Sequence, residues 1–264
     1  MLRIVLLTRQ GRPSGREILQ RLALEGKHVV GVIAEKRSSL LLKKGWLRFL
    51  WTGLCQHGVR FLICRAWGTL VGFTKRNRAS LASIAAQYEI PLYVVKNHNS
   101  RSTKKLLKTL GPDLLITANT RIIQKRVLEI PTCAAINFHT STLPQYAGLD
   151  SIFWALYYDE PEIGVTVHVL EPKLDTGNIL GQRVFPVGST DTVESLTERA
   201  IEVGAALMVE VVDGLERGTI EEIPQDLSCR SYFSWPTPRQ RRELRRKLQA
   251  RRKQKREEVD HQCG

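Results

Sequence analysis

The sequence predicts an α/β fold, an open and mostly parallel (Rossmann-like) sheet with helices on both faces. Two observations predict it. Short runs rich in β-branched and apolar residues ("LRIVLL", "HVVGVIA", "PLYVV", "DLLITAN", "CAAINFH") alternate with segments of helical spacing. The chain is also long enough, at 264 residues with 42% apolar, to bury one sizeable core plus an appendage.

The elements follow in order. "LRIVLL" is a first strand, bounded by "TRQGRPSG"; its apolar run is too short for a secretory signal. "REILQRLALEG" is a helix with a glycine stop and "HVVGVIA" a second buried strand, which makes a right-handed βαβ opening. The intervening "GRPSG" is not GxGxxG, so a dinucleotide fingerprint is absent. After an irregular segment, "ASLASIAAQYE" and "SRSTKKLLKTLG" read as helices flanking the strand "PLYVV". The strand "DLLITAN", the short helix "QKRVLEI" and the strand "CAAINFH" come next. "LDSIFWALYYDE" is a helix, "GVTVHVL" a strand, "NILGQRVFPV" extended, and "DTVESLTERAIEVGAALMVEVVDGLERG" a long helix. "PTP" breaks the chain before a basic terminal helix.

The net charge of +14 is unevenly spread. Residues 36–78 hold ten Lys and Arg and no acid; residues 239–256 hold eleven and one acid, Glu243. What remains is mildly acidic. Clustered charge of this kind suits an anionic surface, membrane or nucleic acid. The first segment, an insert at 36–80, mixes Trp46, Trp51 and Trp67 with its basic residues. Its longest uncharged stretch, Phe49 to Val59, is short of the roughly 20 residues that span a bilayer. Amphipathic segments on a surface are expected there. The five cysteines show no CxxC pair, and no His, Cys, Asp or Glu cluster has ligand spacing. A reducing, cytoplasmic setting and no metal are expected.

The chemistry begins at "INFHTSTLP". Asn137 and His139 stand two apart at the end of a strand, so they share a face. Ligands of open α/β sheets bind beyond the strands' carboxyl ends. Asp175, in "LDTG", follows the strand "GVTVHVL" on a neighbouring loop, where a carboxylate can orient an imidazole and stabilise its protonated form. Asn and His can donate hydrogen bonds to a developing oxyanion while Asp governs a proton. Such a set suits attack on a carbonyl by an amine.

"NFHTSTLP", "GVTVH" and "LDTG" together resemble the folate-dependent formyltransferases, which act on methionyl-tRNA, glycinamide ribonucleotide or amino sugars. The resemblance covers roughly Leu114 to Asp226, more weakly Met1 to Ile33, with "STL" where the family has "SLL". It implies the formyltransferase fold over residues 1–226, with 227–264 a basic extension. It implies that Asn137, His139 and Asp175 are catalytic. It implies that Arg121, Ile122 and Ile123 lie under the ring of 10-formyltetrahydrofolate, largely through backbone groups, and that the loop from Leu170 to Asp175, with Leu170, Glu171 and Leu174, closes over it.

The expected acceptor is a primary amine on an amino sugar or glycolipid precursor, handled at the inner membrane surface through 36–78 and 239–256. Nucleic acid is the second choice for those segments. The methionyl-tRNA enzyme carries a β-barrel domain after the catalytic one, and only some forty residues follow Asp226 here. That activity stays open, as does a degenerate fold that merely binds lipid or nucleic acid.

Overall fold

The computed structural model describes residues 1–36 and 79–263. The tryptophan-bearing insert, and with it the membrane contact expected there, therefore falls, but for Lys36 and the two residues at its end, outside the described residues.

A seven-stranded sheet forms the frame, in the order β3-β2-β1-β4-β5-β7-β8. Its strands are β1 (Ile4–Arg9), β2 (Val29–Glu35), β3 (Leu92–Val95), β4 (Leu114–Ala118), β5 (Ala134–His139), β7 (Glu162–Val169) and β8 (Ile179–Pro186). The first five pair in parallel; β7 and β8 run antiparallel at one edge. The order reverses between β1 and β4, which opens a crevice beyond their carboxyl ends.

Helices cover both faces. One core layer packs α1 (Pro13–Leu24), α2 (Leu81–Gln87), α5 (Ser151–Tyr157) and α6 (Val193–Arg217) against Ile4, Leu6, Ile116, Ile136 and Phe138. The other packs α3 (Arg101–Leu110) and α4 (Lys125–Leu128) against Val5, Leu7, Ile33 and Leu115. Alternate residues of β1 thus face opposite layers, the period-2 consequence of a sheet buried on both sides.

Local chemistry sets the ends. The Ser100 hydroxyl caps α3 by accepting from the Thr103 amide, and Gly111 closes the helix at φ 55°. Pro13 occupies the first turn of α1, where a missing N–H costs nothing, so that helix begins three residues before the predicted start. Thr192 and Ser195 exchange hydrogen bonds in a capping box at the start of α6.

One short ladder has no counterpart in the predicted elements. β6 (Ala147–Gly148) pairs with β9 (Tyr232–Phe233). It draws residues from beyond position 226, assigned above to the extension, onto the body. Trp154 donates its indole N–H to the Ser234 carbonyl at 2.8 Å, and Phe233 stacks on Tyr146 and Trp154. α7 (Pro238–Cys263) then leaves along α5, with Leu244 buried in the main core.

Candidate active site

A cavity of about 450 Å³ opens beyond β1, β4 and β5. Asn137, His139, Asp175, Arg121, Ile122, Ile123, Leu170, Glu171 and Leu174 all line it. The fold therefore brings every residue expected at the site to one place.

The antiparallel β5–β7 pair decides the polar core. Its register sets Asn137 opposite His168 and His139 opposite Thr166. The Thr117 hydroxyl donates to Asn137 Oδ1 at 2.7 Å, and Asn137 Nδ2–H donates to His168 Nε2 at 3.1 Å. His168 Nδ1–H donates in turn to the Val169 carbonyl at 2.8 Å. This chain fixes the histidine tautomer and the orientation of the amide, and leaves Asn137 a second N–H to donate. His139 uses Nε2–H on the Tyr146 carbonyl at 3.2 Å, so its other ring nitrogen, Nδ1, is the one able to exchange a proton.

His168 was missed in the sequence, although "GVTVH" contains it. It is fully buried, and that burial, helped by nearby His139 and opposed by Asp175 and the Val169 carbonyl, lowers its pKa to about 4. The expected carboxylate–imidazole pairing needs correction here. The imidazole beside Asp175 is that of His168, at 3.9 Å, and burial keeps it neutral rather than protonated.

Asp175 is buried at φ 52° and accepts the Gly148 N–H at 2.9 Å. Its loop explains "LDTG". A side chain at Gly177 would meet the Val169 carbonyl oxygen at 2.0 Å, so only glycine lets the loop fold back there. Gln225 donates to the Asp175 and Gly177 carbonyls, and Arg230 to that of Leu174, clasping the loop from behind.

Arg121 forms a two-point pair with Glu35, both contacts at 2.6 Å. Two of its five guanidinium N–H donors are thus committed to Glu35. Among the described residues, the carbonyl of Ile122 is held by Asn99, while Arg121 and Ile123 take no backbone partner. Ile122 is 66% exposed. An apolar wall beside free peptide groups fits a flat heteroaromatic ring that both donates and accepts hydrogen bonds, as a reduced folate does. Tyr232 and Trp235 also line the cavity, along with Arg9 and Arg12. These four were missed; the aromatic pair had no local signal, because the β6–β9 ladder places it. Among the described residues no group of three or more His, Cys, Asp or Glu could hold a metal ion.

Fold and site together define an α/β protein in which Asn137, His139 and Asp175 line a crevice at the switch point of its sheet. The formyl transferase family matches residues 57–212, more than half of the chain, and the chain belongs to that family. The methionyl-tRNA formyltransferase of Thermodesulfovibrio yellowstonii is 36% identical over 146 residues, 55% of this chain and 47% of that protein. The chain spans about half the length of the curated relatives it matches. Among solved structures, glycinamide ribonucleotide transformylase 1 from Symbiobacterium toebii superposes with a TM-score of 0.61 at 20% identity, over 84% of this chain and 94% of that one. The N-formyltransferase from Helicobacter canadensis, in complex with folinic acid and dTDP-3-aminofucose, gives 0.59 at 20% identity, over 89% and 71%. At those identities the two structures speak for the fold alone.

Proposed function

We propose that the chain transfers a formyl group from 10-formyltetrahydrofolate to a primary amine. One observation carries this: Asn137, His139 and Asp175 line the same cavity as the Arg121–Ile123 backbone and the Leu170–Asp175 loop. The donor supplies a formyl carbonyl as electrophile. Asn137, oriented by Thr117 and His168, presents its second N–H to an oxygen on which negative charge develops. His139, anchored through Nε2, takes or gives a proton at Nδ1. Asp175, held by the Gly148 N–H, keeps a carboxylate near the reacting centre to receive the proton an amine loses. Burial of Asp175 and of both histidines keeps competing water away.

The acceptor we favour is an amino sugar or glycolipid precursor. Tyr232 and Trp235, both more than half exposed at the mouth, offer faces for a sugar or base, and Arg9 and Arg12 suit an attached phosphate. Methionyl-tRNA is the second reading, favoured by the 36% identity to T. yellowstonii. Contact with an anionic membrane surface stays a proposal, and α7 changes its terms. Its large apolar residues up to position 255, Leu244 and Leu248, pack on the core, so 239–255 has only charge to offer lipid, and an apolar contribution to such a contact rests on 36–78 alone.

Turnover with 10-formyltetrahydrofolate against amino-sugar nucleotides, amino glycolipids and charged initiator tRNA tests the assignment. Asn137→Ala, His139→Ala and Asp175→Ala should each cut the rate about 100- to 1000-fold in folded protein. Activity on the tRNA alone would overturn the sugar assignment; full activity in all three variants would overturn the site.

A further inference from the structure

A buried carboxylate outside the reacting set has three basic or imidazole neighbours among the described residues, Arg121, His98 and Arg9, and no role in the chemistry above. Glu35, the last residue of β2, is 4% exposed. Its oxygens accept both Arg121 contacts at 2.6 Å and the His98 amide at 3.2 Å, and Arg9 Nε lies 3.8 Å away. These partners come from the carboxyl ends of β1, β3 and β4. One side chain therefore joins the ends of four neighbouring strands on the edge where the cavity opens.

Burial pushes the Glu35 carboxyl up, but the Arg121 hydrogen bonds, the His98 amide and the surrounding positive charge outweigh it and leave it below the ordinary glutamate value. It is thus a charged anchor. A buried ion pair of this kind roughly breaks even for stability, because desolvation offsets attraction. What it supplies is a fixed geometry. Arg121 heads the coil 121–124, which has two tethers. Asn99 holds one end, donating to the Ile122 carbonyl at 3.0 Å and accepting the Gln124 amide at 2.9 Å. Glu35 holds the other. Without it, the polar side-chain tethers left on this coil among the described residues are those from Asn99.

We propose that Glu35 is a positioning residue for the donor site: by clamping Arg121 it holds the Arg121–Ile123 backbone in the conformation that receives the reduced folate. The inference rests on the donor reading above and adds a residue that touches neither folate nor amine. It also assigns the guanidinium of Arg121 to the clamp rather than to a ligand.

The test uses folinic acid as probe and Glu35→Gln as perturbation, in the full-length chain. Calorimetry should show folinic acid binding at least tenfold weaker than to wild type, and hydrogen exchange without ligand should quicken in residues 120–124. Arg121→Lys, which keeps the charge but loses the two-point fork, should fall between the two. Tighter binding by Glu35→Gln would overturn the proposal, since it would mean that Glu35 withholds a guanidinium that ligates the donor. A lower melting temperature with unchanged affinity and unchanged exchange would reduce Glu35 to a structural residue and overturn it equally. Wild-type protein that binds no folinic acid would sink the donor reading itself, and is recognised by the failure of the unmutated chain.

Discussion

Acid should unfold this protein through His168 before it does so through most of the carboxylates. The native state holds His168 neutral, with its pKa lowered from 6.5 to about 4 by burial. An unfolded chain protonates it near 6.5. Between those values the unfolded state binds more protons, so stability rises with pH; the contribution is complete above about 6.5 and is lost as pH falls toward 4. At about 1.4 kcal/mol per pKa unit, a difference of roughly 2.5 is worth at most about 3 kcal/mol. The loss has a structural route. A protonated Nε2 cannot accept from Asn137 Nδ2, and it turns toward Asp175 Oδ1, 3.9 Å away. Urea unfolding of wild type and His168→Asn at pH 7.5, 6, 5 and 4.2 measures the effect. The difference between the two isolates His168 from His98, which burial also lowers and which acts with the same sign. Glu35, Asp159 and Glu216, lowered by their cationic partners, lose their contribution only at still lower pH. The stability gap should shrink by about 2–3 kcal/mol from pH 7.5 to 4.2. A gap that stays flat, or widens in acid, would refute the neutral buried histidine and the hydrogen-bond chain built on it.

Gly204→Ala should cost about 1–3 kcal/mol and slow catalysis together, because the new methyl would sit 2.0 Å from the Phe138 ring, which lies between Asn137 and His139 on β5; thermal melting and turnover read the two effects. Leu244→Ala should cost about 2–5 kcal/mol and loosen α7, which limited trypsin digestion would detect as faster cleavage at the arginines of that helix. Trp154→Phe removes the N–H that holds the Ser234 carbonyl and should cost about 1 kcal/mol, with weaker protection of the 231–235 backbone in hydrogen exchange.

Much of this protein was legible in its sequence, for a local reason. Strands buried on two faces must be apolar throughout, so β1, β2 and β4 announce themselves. Ser100 and Gly111 mark the ends of α3 because a cap acts within one turn. The two-residue period of a strand already put Asn137 and His139 on one face, and the proline-bounded exit already put them at an opening. Tertiary structure alone decided what stands around them. His168 faces Asn137 only because β7 returns antiparallel in a register that sets 168 against 137, and no local pattern encodes a pairing 31 residues apart. Glu35 meets Arg121 only because the chain switches direction between β1 and β4. Tyr232 and Trp235 reach the cavity through a two-residue ladder too short to leave a periodicity. Side-chain identity is written residue by residue, but the neighbours that set protonation and hydrogen bonding come from distant strands, and only the packed sheet brings them within a few ångströms.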